Sequence, residues 1–200
     1  VDIHPEYGQS GIEIILTKLH AGGKFSTDNY QFSGGLHGVG ISVVNALSNR
    51  VEVEVQRQGN LYSMAFEHGT PVSALEVLKG KAPKRASGTK VHFWPEAKYF
   101  DSPKFALKAL KHNLKAKAVL AAGLQINYID QINDEKIVWQ FENGLVDYLM
   151  DELEDREIIP SPAFVATGNV ERASAEFAIC WNAEGGEQIQ ESYVNLIPTA

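Results

Sequence analysis

The stretch Ser33-Gly34-Gly35-Leu36-His37-Gly38-Val39-Gly40 is the densest glycine cluster of the chain, and a predicted helix begins inside it. Glycines let backbone amides come close to phosphate oxygens, and the start of a helix adds a partial positive charge. Lys24, which follows Gly22-Gly23, adds a full positive charge to the same region. The cluster therefore predicts an anion-binding loop. A flexible surface loop with an ordinary glycine helix end at Gly22 remains the alternative.

Two common phosphate-binding motifs do not fit this cluster. A P-loop needs Gly-Lys followed by serine or threonine, but Phe25 follows Gly23-Lys24. A dinucleotide-binding loop needs Gly-x-Gly-x-x-Gly directly after a strand, whereas here Gly35-x-x-Gly38-x-Gly40 follows a loop. The pattern therefore belongs to neither class.

The residues around the cluster predict two helices and a long loop. Ser10 and Glu13 have the spacing of a capping box and predict a helix over 10–21. The glycine-rich segment 22–37 is typical of a lid or binding loop, and a second helix is predicted over 38–47. The side chains expected to face inward are Ile12, Ile15, Leu16 and Leu19 in the first helix and Val39, Val43, Ala46 and Leu47 in the second.

The middle of the chain alternates between apolar and polar residues, which is typical of half-buried strands. Strands are predicted over 51–55, 61–67, 70–78 and 89–93, with a turn at 58–60 and a basic loop over 79–88. The mixture of helices and hairpins predicts an α+β fold.

The second half predicts further helices and hairpins. Ser102-Pro103 is a favourable helix start, and this helix is expected to end near Ala122. Pro160 and Pro162 predict a linker. The other predicted elements are a hairpin of 124–130 with 136–141, a helix over 144–154, and paired strands over 175–182 and 188–196.

Composition excludes several classes of protein. The single cysteine, Cys180, excludes an internal disulfide framework and a multi-cysteine zinc site, and it fits a cytoplasmic setting. A formal charge of −7 over 200 residues argues against a domain whose whole surface binds nucleic acid. We expect no membrane span and no secretory signal, because no long apolar run or basic leader is present. Since the chain begins at Val1, we expect it to be a piece of a longer protein.

Two further features have simple interpretations. The helix over 102–122 carries a row of lysines that is predicted to be a solvated face, with DNA phosphate binding as the alternative. Cys180 alternates with Ile179 and Trp181 and is predicted to be a packing residue. The lysines concerned are Lys104, Lys108, Lys111, Lys115 and Lys117.

The glycine cluster resembles a motif of known ATPases. Gly35-Leu36-His37-Gly38-Val39-Gly40 is similar to the second glycine motif of the GHKL superfamily, which includes gyrase, a heat-shock chaperone, MutL and histidine kinases. The tracts 19–25, 33–40 and 42–48 resemble the B subunits of bacterial type IIA topoisomerases. Residues 1–6 and 93–95 agree with this. The tracts that resemble the B subunit of topoisomerase IV more than that of gyrase are 30–32, 100–103 and 193–199.

The resemblance implies a fold and a domain organisation. The implied fold is the GHKL two-layer α/β sandwich, with a mixed, largely antiparallel sheet, helices on one face and nucleotide between the helices and a lid. Residues 1–187 are expected to form an N-terminally truncated ATP-binding domain. Residues 188–200 are expected to form an arm leading into a transducer domain.

The resemblance also implies roles for individual residues. Lys24 would meet phosphate oxygens, Tyr30 would hydrogen-bond the purine, and Ile15 would line the adenine pocket. Thr89 would bond near the adenine with Val91 packed beneath it, although an ordinary strand pair is the alternative. The implied ATP contacts are Ile15, Gly23, Lys24, Tyr30, Gly35, Leu36, His37, Gly38, Val39, Gly40, Thr89 and Val91.

The family's catalytic groups are not matched in this chain. Its general base is a glutamate and its Mg²⁺ ligand an asparagine on one helix. Its adenine-reading aspartate lies in an Asp-x-Gly-x-Gly-x-Pro motif that would end immediately before Val1, so all three would precede Val1. A lysine that touches the γ-phosphate would follow Ala200. The resemblance thus implies no catalytic residue and no metal ligand within these residues, with ATP and Mg²⁺ as cofactors of the parent enzyme.

The implied parent function is ATP-driven passage of one DNA duplex through another, which relaxes and decatenates chromosomes in the bacterial cytoplasm. The implied partners are the A subunit of topoisomerase IV, DNA and, on ATP binding, a second copy of the B subunit; competitive inhibitors could occupy the ATP site. The alternatives are the ATPase domain of the gyrase B subunit, a nucleotide-binding fragment without turnover, and a structural interaction domain.

Overall fold

The structure is a computed structural model with two units, Val1–Lys104 and Phe105–Ala200. No helix in the part of the chain that it describes is long and apolar enough to cross a membrane. The division into 1–187 and 188–200 stays a prediction. The described residues are 1–21, 37–81, 83, 85–102, 104–153, 156–170, 173–186 and 188–199.

The first helix of the first unit, α1, spans Gly11–Thr17 and begins as its sequence predicts. The Ser10 hydroxyl accepts a hydrogen bond from the Glu13 amide at 3.2 Å. The other half of the expected capping box is absent, because the Glu13 carboxylate accepts from the Gln9 side chain instead, at 2.5 Å. The helix ends at Thr17, short of the predicted residue 21, where the Lys18 amide donates to the Ile14 carbonyl.

The buried face of α1 differs in part from the prediction. Ile12 and Leu16 are buried as expected, and Ile14 is buried as well. Ile15 is 44% exposed and Leu19 is 62% exposed, so the expectation that they face inward is wrong. Leu19 lies beyond the end of the helix, and therefore helical spacing does not set its direction.

Helix α2 spans Gly40–Ala46 and presents polar residues to the interior. Ser42 and Asn45 are buried, whereas Val43 and Ala46, which were expected to face inward, are exposed. The donor group of each of these two buried side chains has a partner, which makes this rotation possible. The Ser42 hydroxyl donates to the Val39 carbonyl at 2.9 Å, and the Asn45 amide donates to the Leu16 carbonyl at 3.0 Å.

The sheet of the first unit is built around strand β1, Ser48–Arg57. It forms a hairpin with β2, Asn60–Glu67, through a two-residue turn at Gln58 and Gly59, both with positive φ, as a type I′ turn requires. The predicted strand over 89–93 is confirmed as β5, Gly88–Pro95, and it pairs with the other edge of β1. All described strand pairs are antiparallel.

The predicted strand over 70–78 is instead two short strands on β2, namely β3, Thr70–Pro71, and β4, Glu76–Lys79. Pro71 has no amide hydrogen with which to continue a ladder. Between the two strands, the Ser73 hydroxyl accepts from the Ala65 amide at 2.9 Å, so a side chain replaces the backbone in the pairing.

The core of this unit lies between α1 and one face of the sheet. Val51 and Val53 of β1 are buried, and their partners on β2 are Phe66 and Met64. Ile12 and Leu16 of α1 complete the cluster. Because strand residues alternate between faces, this one face carries most of the packing energy of the unit.

We expect Phe66→Ala to lower the free energy of unfolding by about 3–5 kcal/mol, because Phe66 is fully buried and its removal leaves a cavity. Urea denaturation measures the change. Phe100→Ala is the matched control, because this side chain is 41% exposed. Equal losses for the two variants would contradict the placement of Phe66 at the centre of the core.

The second unit begins with helix α3, Leu107–Leu120, which starts later than predicted. Pro103 lies outside the described residues. The Ser102 hydroxyl accepts from the Lys104 amide at 3.3 Å, so it closes a local turn instead of capping the helix. The predicted hairpin and the following helix are confirmed with shorter bounds: β6 is Ile126–Asp130, β7 is Glu135–Trp139 and α4 is Leu145–Leu153.

The predicted linker at Pro160 and Pro162 is wrong. Both prolines belong to β8, Ile158–Val170, which pairs with β9, Ala173–Asn182. The ladder shifts register between Ile159 and Phe164, so the prolines occupy the irregular part where missing amide hydrogens are tolerated. β9 therefore does not pair with 188–196. That segment contributes β10, Ser192–Val194, which pairs with β11, Ile197–Thr199.

Packing in the second unit includes Cys180, as predicted. Its side chain lies against the buried cluster of Leu153, Ile158 and Ala163. Burial raises the pKa of the thiol, which favours its neutral form.

The lysines of α3 are not simply a solvated face. Lys111 pairs with Glu135 at 2.5 Å, and Lys117 donates to the Leu196 carbonyl. Lys115 pairs with Asp151 at 2.8 Å and Glu152 at 2.5 Å. Burial opposes the charge of Lys115, but the two carboxylates outweigh it and raise its pKa. Three of the five lysines thus have partners inside the unit, whereas Lys108 is exposed, as a solvated face predicts, and Lys104 precedes α3.

We expect Lys115→Met to lower the free energy of unfolding by roughly 1 kcal/mol at neutral pH, since the pairs are partly exposed. Because the pKa of Lys115 is raised, this stabilisation is present at neutral pH and is lost as the pH rises through that pKa. Urea denaturation at pH 7 checks the loss. Lys108→Met, an exposed lysine on the same helix, should change little; a loss equal to that of Lys115→Met would contradict the role of the carboxylate pairs.

Candidate functional site

The predicted ATP contacts fall into two groups. The described ones lie on three parts of the first unit, namely α1, the turn before α2 and the strand β5. These are Ile15, His37, Gly38, Val39, Gly40, Thr89 and Val91. The predicted contacts that lie outside the described residues are Gly23, Lys24, Tyr30, Gly35 and Leu36.

The turn before α2 requires glycine at one position and leaves space at another. Gly38 has a φ of 59°, a left-handed conformation that costs side-chain-bearing residues energy. Gly40 begins α2, and a Cβ added there would meet no atom of the described residues within 4 Å. His37 and Gly40 are exposed. Among the described residues, none therefore fills the space directly beside Gly40.

We expect Gly38→Ala to lower the free energy of unfolding by about 1 kcal/mol, because alanine resists the left-handed conformation. Gly40→Ala should cause no loss, because its site is open and alanine favours a helix more than glycine does. Urea denaturation of the two variants measures the difference. Equal stability of both would contradict the conformation of the turn.

Strand β5 places Thr89 and Val91 on the face of the sheet that carries the core. Val91 lies opposite Val53 and Thr89 lies opposite Val55, and directly paired residues project from the same face. Val91 is nevertheless 40% exposed, and Thr89 is exposed as well. The apolar face thus continues beyond the packed core toward Gly88.

Helix α1 lies over this same face. Ile12 and Leu16 pack against Val51 and Val53, while the neighbouring Ile15 stays 44% exposed. An exposed isoleucine on a helix that covers the sheet offers apolar surface near the helix–sheet layer. Exposed apolar side chains such as Ile15 and Val91 are the kind of surface that contacts a flat apolar ligand group, and a glycine turn is the kind that contacts an anionic one.

Two hydrogen bonds connect α1 to the segment that carries the turn. Asn45 of α2 donates from Nδ2 to the Leu16 carbonyl at the end of α1. His20, just after α1, donates from Nδ1 to the His37 carbonyl at 2.9 Å. Sequence reasoning missed both residues. An asparagine within the apolar run Val43-Val44-Asn45-Ala46-Leu47 was the signal that could have identified the first.

Across the described ranges, no group of three or more His, Cys, Asp or Glu side chains is arranged to hold a metal ion.

Sequence relatives match the chain from end to end. It is 57% identical over 200 residues to the B subunit of DNA topoisomerase 4 from Pseudomonas aeruginosa, covering 100% of this chain and 32% of the relative. It is 49% identical over 149 residues to the B subunit of DNA gyrase from Thermotoga maritima, covering 74% of this chain and 23% of the relative. The chain spans about a third of the length of the topoisomerase relatives it matches. No protein-family model matches it.

Solved structures with the same fold include two ATPase domains. The topoisomerase IV ATP-binding domain of Francisella tularensis, in complex with a small-molecule inhibitor, is 46% identical with a TM-score of 0.76, and covers 100% of this chain and 50% of that one. The 43K ATPase domain of Thermus thermophilus gyrase B, in complex with an aminocoumarin, is 28% identical with a TM-score of 0.79, and covers 99% and 49%.

Proposed function

This chain is homologous over its whole length to a segment of the topoisomerase IV B subunit and has the GHKL ATPase fold, and from this premise we propose that it is the ATP-binding part of such a protein. The parent enzyme would couple ATP binding and hydrolysis to the passage of one DNA duplex through another. The observation that carries the proposal is the exposed glycine turn at Gly38–Gly40, which the His20–His37 hydrogen bond connects to the end of α1.

The described residues would contact the nucleotide through two surfaces, one for the adenine and one for the phosphates. Ile15 and Val91 would contact the adenine ring, and Thr89 would hydrogen-bond near it. The backbone of His37, Gly38, Val39 and Gly40 would approach the β- and γ-phosphates, because glycine leaves room for such an approach. This division follows the exposed apolar surface and the exposed turn described above.

The remaining contacts rest on the sequence resemblance. Gly23 and Lys24 would bind phosphate oxygens, Tyr30 would hydrogen-bond the purine, and Gly35 and Leu36 would extend the phosphate-binding backbone. A lysine adds a full charge where backbone amides add only partial ones.

Catalysis would require groups outside these residues. Magnesium, when bound with the nucleotide, would neutralise phosphate charge. The described residues contain no cluster of three or more His, Cys, Asp or Glu side chains that would hold it by themselves, and the asparagine ligand that the resemblance implies would precede Val1. We therefore assign no step to a metal here and no general base to this chain. Its own contribution would be to bind and orient the nucleotide.

The parent protein would act in an assembly. Its proposed partners are the A subunit of topoisomerase IV, DNA and a second copy of the parent protein that joins it when ATP binds. The ATP site would also accept competitive inhibitors, which is supported by the inhibitor complex of the Francisella relative. Its proposed location is the bacterial cytoplasm.

The B subunit of gyrase is the second candidate. It is favoured by the gyrase ATPase domain among the structures with the same fold. The nucleotide chemistry would be the same, and the difference would lie in the holoenzyme, which would supercoil DNA. Reconstitution of the parent protein with the A subunit of each enzyme, followed by decatenation and supercoiling assays, distinguishes the two.

We expect this protein to bind a non-hydrolysable ATP analogue, and Gly40→Ala to weaken that binding at least tenfold. The added methyl occupies the open space beside the turn without loss of stability, so a loss of affinity reports on the approach of phosphate. Isothermal titration calorimetry measures both affinities.

Gly168→Ala is the matched control for this experiment. Gly168 lies in β8, has no atom within 4 Å of an added Cβ, and is remote in sequence from the turn. The control should bind as tightly as the unaltered protein. Unchanged binding by Gly40→Ala would refute the phosphate-binding turn, and absence of binding by the folded, unaltered protein would refute a nucleotide site formed by these residues alone.

A further inference from the structure

Two hydrogen bonds connect α1, and the residues that directly follow it, to the 37–47 segment, and their donor side chains come from opposite partners. The side chain of Asn45 reaches back to the backbone of Leu16, and the side chain of His20 reaches forward to the backbone of His37. One bond lies at the end of α1 and the other at the start of the glycine turn. Two such bonds restrict how α1 and the turn can shift relative to each other.

The Asn45 bond acts as a helix cap supplied by another helix. The last carbonyls of a helix have no partner within it, and Leu16 is one residue from the end of α1. The Asn45 amide satisfies that carbonyl from α2, and it does so at a position that is only 1% exposed. In this dry environment the bond has few competitors.

The net stability that Asn45 contributes to the fold does not explain why an asparagine occupies this buried position. Its Oδ1 atom is buried, and no residue that the structure describes donates to it. A buried acceptor without a donor costs free energy comparable to the gain from a hydrogen bond. The gain at Nδ2 and the cost at Oδ1 therefore largely offset each other, and what remains is the fixed position of Leu16.

We propose that Asn45 and His20 are positioning residues, which hold the Ile15-bearing helix and the Gly38–Gly40 turn at the separation that one nucleotide spans. This inference rests on the proposed function. ATP would touch both surfaces at once, whereas adenosine would touch the α1 and β5 side and tripolyphosphate would touch the turn. Binding through two surfaces is tighter than through either only when their separation is fixed beforehand.

A positioning role and a purely structural role of the two bonds predict different changes in ligand affinity. If the bonds fix the separation, their loss weakens the ligand that spans both surfaces and spares the two that do not. If they merely stabilise the fold, all three ligands weaken in parallel. The ratio of ATP affinity to adenosine affinity is therefore the informative quantity.

The experiment uses Asn45→Ala and His20→Ala in the full protein. Calorimetry measures the affinity for a non-hydrolysable ATP analogue, and ligand-observed NMR measures those for adenosine and tripolyphosphate. We expect each variant to bind the analogue about tenfold more weakly, with the two fragments changed less than twofold. His20 is exposed, so His20→Ala keeps the test valid even if Asn45→Ala folds poorly.

Ser48→Ala is the matched control. Its hydroxyl is buried and donates to the Val44 carbonyl at 2.7 Å, so the variant deletes a similar bond that does not reach α1. It should leave all three affinities unchanged. Parallel losses of the three ligands, no loss at all, or an equal loss in Ser48→Ala would overturn the positioning role. Failure of the unaltered protein to bind the analogue would instead overturn the proposed function and, with it, this inference.

Discussion

The burial of Val51 and Val53 on one face of β1 is the constraint on which the first unit depends. β1 has a partner strand on each side, as β2 does, and the valines on its inward face are buried, so this face must be covered by apolar side chains. Ile12 and Leu16 of α1 provide that cover. Each fully buried side chain of this size contributes about 1.5–3 kcal/mol, enough to fix where α1 lies. The position of Ile15 follows, because it shares that short helix.

The burial of this face of β1 also determines which face of its partner β5 is turned toward the core, and part of that face of β5 stays exposed. Phe93, opposite Val51, lies under the helix layer and packs on the core, whereas Val91 and Thr89 lie farther along the strand and are exposed. Alternate residues of a strand project from the same face. Val91 and Thr89 therefore lie on the same face as Phe93, but they are exposed. A binding surface of this kind needs no residues beyond those that form the sheet, which is why ordinary strand residues were the alternative interpretation of Thr89 and Val91.

The elements that were predictable from sequence are those set by local chemistry. The Ser10 cap, the Gln58-Gly59 turn and the alternation of Val51 and Val53 each depend on residues close together in the chain. The wrong predictions arise where a residue far away in the sequence determines the local structure. Val43 gives way to Asn45 on the inner face of α2 because the Leu16 carbonyl, far away in sequence, accepts its hydrogen bond. Pro160 and Pro162 enter a strand because β9 tolerates an irregular stretch opposite them.

The candidate site also combines a feature that nearby residues determine with a feature that depends on partners far away in the sequence. The glycine cluster indicated where a turn with left-handed backbone would lie, because the backbone conformation at Gly38 is a property of that residue; phosphate binding there stays a prediction. What the sequence could not supply is the relation between the turn and α1, which depends on two side-chain-to-backbone bonds across the packed layer. A pattern of apolar residues predicts neither the burial of an asparagine nor the hydrogen bond of an exposed histidine. In a site made of two separate surfaces, however, polar residues with a single directional bond fix a spacing that apolar contacts, which are not directional, specify less sharply.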